Sequence, residues 1–210
     1  MSSTNRFVDR TDAGEKLGKV LIERGVTADL VLAIPRGGLP LGRAVADALG
    51  CPLDVVVATK IGAPGNPEYA IGAVASDGSV WRNEEAFAAG MTDDAYFERE
   101  KNRQAERARK KAEQYRQGRS PPTVEGKTVV VVDDGVATGS TTKACVRTLD
   151  NRGTDRIIVA VPVGPPDTIA ELEQIADEVV CLHTPTYFRA VGQFYNRFDQ
   201  VSDEEAMTYL

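Results

Sequence analysis

Histidine is nearly absent from this chain, with one in 210 residues, and cysteine is scarce, with three. A zinc framework needs closely spaced Cys and His ligands, and a disulfide framework needs an even set of Cys in a small domain. Cys51, Cys145 and Cys181 are odd in number, far apart and set in or beside apolar segments, so they read as reduced core residues. His183, the single histidine, closes an apolar run without an evident partner, which suits a structural place better than a catalytic one. Long hydrophobic runs are missing as well, and no stretch approaches the roughly 18 residues of a membrane span. Met1 to Lys16 is polar and shows no apolar signal-peptide core, which together with the unpaired cysteines points to a cytoplasmic protein. Positive charge is in deficit. Lys and Arg number 25 against 31 Asp and Glu, a formal net charge of −6, which argues against a dedicated nucleic-acid binder. The basic stretch Arg107 to Lys111 reads as a solvated helix face.

What the chain has in quantity is alternation. Leu30–Ile34, Leu53–Ala58, Val129–Val132, Arg156–Val161 and Glu178–Leu182 are short apolar runs that read as strands. Helical spacing fills the gaps: Leu17, Val20, Leu21 and Arg24 in a helix capped by Thr11 or Asp12, then Leu39–Leu49, Thr142–Leu149 and Asp167–Ala176. This pattern predicts a single α/β domain over residues 1–210, an open, mainly parallel sheet with helices on both faces. Two segments interrupt it. Residues 60–82 hold the breaker-rich run from Gly62 to Pro67, which reads as a loop, followed by Ile71–Ala75, the turn pair Asp77-Gly78 and Ser79–Arg82, a β-hairpin. Residues 92–117 form the most charged stretch, a long helix with Phe97, Lys101, Ala105, Ala108, Ala112 and Tyr115 on one narrow stripe.

Val129 to Thr141 is the most informative segment. Four valines in a row read as a strand buried on both faces, and two carboxylates, Asp133 and Asp134, stand at its carboxyl end, where open α/β sheets bind ligands. A turn of small residues then opens a helix, offering backbone N–H donors and the positive end of the helix dipole to an anion such as phosphate. The acids cannot hold that phosphate, because like charges repel, but they can accept hydrogen bonds from neighbouring hydroxyls or help hold a cation. A sugar phosphate with a free vicinal diol meets both demands. Other phosphate motifs fail here: no Lys precedes Ser140 as a Walker A loop requires, Gly135 and Gly139 do not make G-x-G-x-x-G, and Gly135 stands where a phosphotransfer site would want a further acid.

The segment resembles the 5-phosphoribosyl-1-pyrophosphate (PRPP) binding motif of the type I phosphoribosyltransferases: a hydrophobic strand, two acids, two variable residues, then a small-Thr-Gly-x-Thr loop. The resemblance implies that family's fold, with a mobile β-hairpin at residues 60–82 and a small C-terminal hood at 183–210. It implies transfer of 5-phosphoribose from PRPP to an acceptor nitrogen, of a nucleobase in most of the family, with release of pyrophosphate and help from Mg2+. On this reading Gly135, Val136, Ala137, Thr138, Gly139, Ser140 and Thr141 bind PRPP together with Asp133 and Asp134: the Ala137–Thr141 loop fixes the 5-phosphate, while the two acids hold the ribose hydroxyls and stabilise positive charge on the ring. No side chain is assured as a direct magnesium ligand, Asp133 and Asp134 being the nearest.

Arg36-Gly37-Gly38 ends the strand Leu30–Ile34, so its glycines let the backbone approach a ligand while Arg36 can fork onto phosphate oxygens. In the resemblance it is the pyrophosphate loop, which often holds a cis peptide, here placed at Pro35–Arg36. Lys60, just past the strand Leu53–Ala58, is placed to neutralise the departing pyrophosphate, completing a catalytic set of Asp133, Asp134, Arg36 and Lys60. The hairpin corresponds to the family's closing loop, with Gly, Pro and Asn as hinge residues and Glu68 and Tyr69 nearby. Tyr187, Phe188, Phe194, Tyr195 and Phe198 crowd the C-terminal segment. The first four are candidates for stacking on an acceptor base, with Arg189 and Gln193 as polar contacts; core or dimer packing is the rival explanation. A homodimer is the family's common choice.

The acceptor stays open. Enzymes for 6-oxopurines carry an acid where this chain has Ala137, and the Asp-Asp-x-x-Ala-Thr-Gly form is similar to that of adenine phosphoribosyltransferases without fixing the base. The alternative is a non-catalytic PRPP-sensing regulator of the same fold. No DNA-binding segment precedes Phe7, and Arg36, Lys60 and the hairpin favour catalysis. An RNA-binding regulator using Arg99 to Arg119 is the weakest reading.

Overall fold

The computed structural model describes residues 6–210, so the reading of Met1–Asn5 and of the Glu68 side chain lies outside the described residues. In chain order the elements are α1 (Arg10–Glu23), β1 (Leu30–Ala33), α2 (Gly38–Leu49), β2 (Leu53–Val55), β3 (Ala58–Ala63), β4 (Asn66–Ala75), β5 (Val80–Arg82), α3 (Glu84–Ala88), α4 (Asp94–Arg116), β6 (Thr128–Val132), α5 (Ser140–Asn151), β7 (Arg156–Val163), α6 (Pro166–Glu173) and β8 (Glu178–His183). A 3₁₀ turn at Val191–Phe194 and α7 (Asp203–Met207) follow.

Five strands in the order β2-β1-β6-β7-β8 form a wholly parallel sheet. The three inner strands β1, β6 and β7 bury both faces, which is why Val129–Val132 is continuously apolar rather than alternating. Side chains of successive strand residues point to opposite faces. Val130 and Val132 accordingly pack with Leu17, Leu21, Leu41 and Val45 of α1 and α2, and Val129 and Val131 with Cys145, Leu149 and Leu172 of α5 and α6. The expected open α/β architecture is therefore what the chain forms. No helix among the described residues is long and apolar enough to cross a membrane.

Helix α1 begins earlier than its spacing suggests. Asp9 is the cap, accepting from the Asp12 amide at 3.0 Å, while the Asp12 carboxylate accepts from the Val8 amide at 2.8 Å. The shift makes Arg10 the first helical residue. Of the three free cysteines only Cys145 is fully buried; Cys51 and Cys181 are half-buried, which corrects their reading as core. Burial pushes the Cys145 thiol well up and that of Cys181 up to about 11, so neither is poised as a thiolate.

Residues 53–82 differ most from expectation. Leu53–Ala58 is not one strand: β2 ends at Val55, the Val56 amide makes a last bond to the Ala33 carbonyl at 3.0 Å, and from Ala58 the chain runs antiparallel to β4. Because β1 stops at Ala33, residues past Val56 find no partner in the parallel sheet, and the Val57 carbonyl accepts from Ser76 instead. The run from Gly62 to Pro67 is mostly strand, with Pro64-Gly65 alone at the turn and register shifts on both sides of Gly62 absorbing the irregular residues. A three-stranded antiparallel sheet, β3-β4-β5, replaces the simple hairpin, with its own core of Ile61, Ile71, Val74, Ala86 and Phe97.

Helix α4 matches its expected span and is capped by Asp93, which accepts from the Tyr96 amide at 2.7 Å. Its buried stripe is Phe97, Gln104, Ala108, Ala112 and Tyr115. At its far end Arg116 bonds Asp54 through Nε at 3.0 Å and the Val55 carbonyl at 2.7 Å, tying the helix to β2. The two side chains are 12% and 17% exposed, so loss of this partner leaves a poorly hydrated carboxylate. Arg116→Met is expected to lower stability by about 3 kcal/mol, roughly 6–12 °C in a thermal melt.

Candidate active site

The strand order reverses direction between β1 and β6, the point where open α/β sheets bind ligands at strand carboxyl ends. Ala33 pairs with Val132, so the loops that follow these two strands leave the sheet side by side. The Ile34 amide donates to the Val132 carbonyl at 2.9 Å, and the Gly38 amide to the Ile34 carbonyl at 3.1 Å. The Pro35–Arg36 peptide bond is cis, at the position expected. Gly37 lies against the acid pair so closely that a Cβ there would fall 1.9 Å from Asp134 Oδ2. Arg36-Gly37-Gly38 and Asp133-Asp134, a hundred residues apart in the chain, thus form one surface.

The two carboxylates have different surroundings. Asp133 Oδ1 accepts from the Asp134 amide at 2.8 Å. Asp134 Oδ2 accepts from Arg10 Nε at 2.8 Å, and the Asp134 carbonyl accepts from the Tyr195 hydroxyl at 2.6 Å. Burial, and then the negative charge of Asp134, hold the Asp133 carboxyl well above the usual carboxylate range. Burial also raises Asp134, against the pull of the Arg10 guanidinium.

Beyond the acids the loop turns at Gly139, whose φ of +67° favours glycine, and enters α5. Thr138 Oγ1 and Ser140 Oγ are 3.0 Å apart, and Ala137 and Thr138 are exposed. The N-terminal amides of α5 and its dipole face this loop, a ready anion cradle. Lys143 lies under it, donating to the Thr138 carbonyl at 3.2 Å, paired with Glu171 and 4.7 Å from the centre of the Trp81 ring. Its place in the first turn of a helix, where a cation opposes the dipole, was the available signal that it needs a partner. A cavity of about 630 Å³ runs from Ala137, Thr138, Ser140 and Lys143 to Tyr69, Trp81 and Arg82 of the antiparallel sheet.

Lys60 sits inside β3 opposite Ala73, not at a third end of the parallel sheet, so it belongs to the antiparallel layer. Arg36 is half-buried, and its charge reaches an unforeseen neighbour, the long helix. Burial pushes the Lys111 ammonium of α4 down; Asp203 opposes this and Arg36 adds to it. Tyr115 of the same helix donates to Asp203 Oδ1 at 2.5 Å.

Residues 10–197 match the model of the family described as the phosphoribosyl transferase domain. The chain belongs to that family. The solved structure of TT1426 from Thermus thermophilus is 43% identical to it, with 97% of each chain covered and a TM-score of 0.83. Two Mycobacterium tuberculosis proteins, from strains CDC 1551 and H37Rv, carry provisional phosphoribosyl transferase names and are 42% identical over 204 residues. The alignment takes in 97% of this chain and 46% of theirs, so the chain spans about half the length of the curated relatives it matches.

In this phosphoribosyl transferase domain the C-terminal aromatics divide. Phe194 and Tyr195 are 7% and 3% exposed, their rings spent on packing against Phe188, His183, Phe7 and Phe198. Tyr187, 89% exposed, and half-buried Phe188 are the two of the four that show surface. Among the described residues no group of three or more His, Cys, Asp or Glu side chains comes together to hold a metal ion. Two adjacent carboxylates fit a magnesium ion that takes most of its oxygen ligands from its substrate.

Proposed function

We propose that the chain is a magnesium-assisted, PRPP-dependent phosphoribosyltransferase that moves 5-phosphoribose to a nitrogen of an acceptor base and releases pyrophosphate. The contact between the Gly37 turn and the Asp134 carboxylate carries this reading, because an acid pair suited to a diol lies against a turn suited to pyrophosphate. Amides of the Ala137–Thr141 loop, with the Thr138, Ser140 and Thr141 hydroxyls, would fix the 5-phosphate, and Lys143 would add positive charge beneath it. Asp133 and Asp134 would accept from the ribose 2- and 3-hydroxyls and favour positive charge on the ring as the bond from C1 to pyrophosphate breaks. The electron pair leaves with pyrophosphate, where Arg36 would share the charge, joined by Lys60 only if the antiparallel layer closes over the site. The acceptor nitrogen bonds to C1 and gives up its proton to solvent. Bound magnesium would neutralise pyrophosphate oxygens, with Asp133 and Asp134 nearest to it. Tyr187 and Phe188 remain as surface on which a planar base could stack, and Ala137 in place of an acid speaks against a 6-oxopurine.

The test is pyrophosphate release from PRPP and Mg2+ across purine, pyrimidine and pyridine bases. Release with one base names the acceptor. PRPP binding with silence across the panel would replace the transferase by a PRPP sensor, and failure to bind PRPP would remove both.

A further inference from the structure

We infer that Arg10 is a positioning residue of the ribose site: it orients the Asp134 carboxylate beneath the Gly37 turn, and the C-terminal segment in turn orients Arg10. The inference rests on the PRPP-binding reading above. Arg10 is separated from Asp134 by 124 positions, yet its Nε donates to Oδ2 at 2.8 Å and the two side chains are only 12% and 15% exposed. The guanidinium is held on two further sides. Its Nη1 donates to the Asp199 carbonyl at 2.8 Å, and its centre lies 3.9 Å from the centre of the Phe198 ring. A planar group fixed by an in-plane carbonyl and a stacked ring has little rotational freedom, so the carboxylate bonded to it is fixed as well.

A strap between the chain's two ends would not need this residue. The Phe7 amide already donates to the Phe194 carbonyl, the Asn196 amide to the Phe7 carbonyl and the Arg197 amide to the Val8 carbonyl, at 2.8–3.0 Å. Arg10 reaches past those bonds to the motif acid. The need for it is electrostatic and steric at once. Asp133 and Asp134 are neighbouring carboxylates in a poorly hydrated site, where repulsion turns them apart unless a cation holds one. The Gly37 backbone blocks one direction of escape, and Arg10 defines the other. Its bond engages Oδ2 alone, which leaves the second oxygen of the carboxylate for a ligand hydroxyl.

A double-mutant cycle decides it. PRPP affinity in the presence of Mg2+ is measured for the wild-type chain, Arg10→Met, Asp134→Asn and the double variant, with Arg10→Lys as the rescue and a thermal melt for each. Arg10→Met is expected to weaken PRPP binding at least tenfold and Arg10→Lys to restore part of the loss. The double variant should bind no more weakly than the weaker single variant, because both changes remove one arrangement. An Arg10→Met chain that melts lower but binds PRPP within twofold of wild type overturns the inference and leaves the function standing. Losses that simply add in the double variant overturn it too. Failure of the wild-type chain to bind PRPP overturns the function and the inference together, a result distinct from the other two. Should Arg10→Met fail to fold, Phe198→Leu loosens the guanidinium without removing it. Threefold or greater weakening supports the inference there, and unchanged affinity overturns it.

Discussion

Asp133→Asn is expected to melt at a higher temperature than the wild-type chain without ligand, and to lose about a hundred- to a thousandfold in transferase rate. Burial and the adjacent Asp134 raise the Asp133 carboxyl above the range it has in an unfolded chain, so the native state binds its proton more tightly. Stability from a group raised in this way is present in full below the unfolded value of about 3.9 and is lost as pH climbs through the folded value. Above the unfolded value the native site therefore works against folding, through a carboxylate that burial and Asp134 both disfavour. Asparagine removes the charge and keeps an oxygen to accept from the Asp134 amide. The gain should be about 1–2 kcal/mol, roughly 2–8 °C, at pH 7.5, and should be smaller at pH 5, nearer the unfolded value. Calorimetric melts at those two pH values measure it, and an Asp133→Asn chain no more stable than wild type at pH 7.5 would overturn the electrostatic account. The same linkage predicts that PRPP binding tightens as pH rises through the raised folded value, because a diol needs a carboxylate that accepts.

Gly37→Ala should act through a single methyl group. Gly37 has φ −59° and ψ −31°, a conformation that alanine adopts without difficulty, so the backbone offers no objection. The new Cβ would lie 1.9 Å from Asp134 Oδ2 and 3.2 Å from Arg10 Nε. Neither distance can be sustained, so the carboxylate must swing away from its guanidinium. Breaking a largely buried pair costs about 3 kcal/mol or more, roughly 6–12 °C in a melt, and PRPP affinity should fall at least tenfold with it. Isothermal titration with Mg2+ and PRPP, run beside the melt, checks both. Unchanged values in both would mean that the turn and the acid pair separate freely, and would sink the reading of this contact.

The motif loop was legible because its chemistry is local. Valines that need burial, acids at a strand end and small residues before a helix are each interpretable within a few positions, and the parallel sheet follows from their repetition. Legibility failed where the deciding partner lay far away. Whether the segment from Leu53 continues as a strand depends on the length of β1, and Lys60 moved to another sheet with that answer. Arg10 looked like one more polar residue before a helix, since only the folded chain brings Asp134 to it. The electrostatic reach of Arg36 to α4 was hidden for the same reason, as was the identity of the partner Lys143 needs. Of the C-terminal aromatics, sequence gives the density of rings but not which of them is turned inward, and Phe194 and Tyr195 went to packing.

The backbone bonds between Phe7–Val8 and Phe194–Arg197 also set an order of events during synthesis. A nascent chain that has emerged as far as Gly192 holds the acids, the Ala137–Thr141 loop and the Arg36-Gly37-Gly38 turn, yet Arg10 still lacks Phe198 and Asp199, and the Asp134 carbonyl still lacks the Tyr195 hydroxyl. The anion cradle is complete early, while the orientation of its acid waits for residues 195–199 to leave the ribosome. A product cut off at Gly192 would then keep the sequence signature of the family and lack the clamp on Asp134.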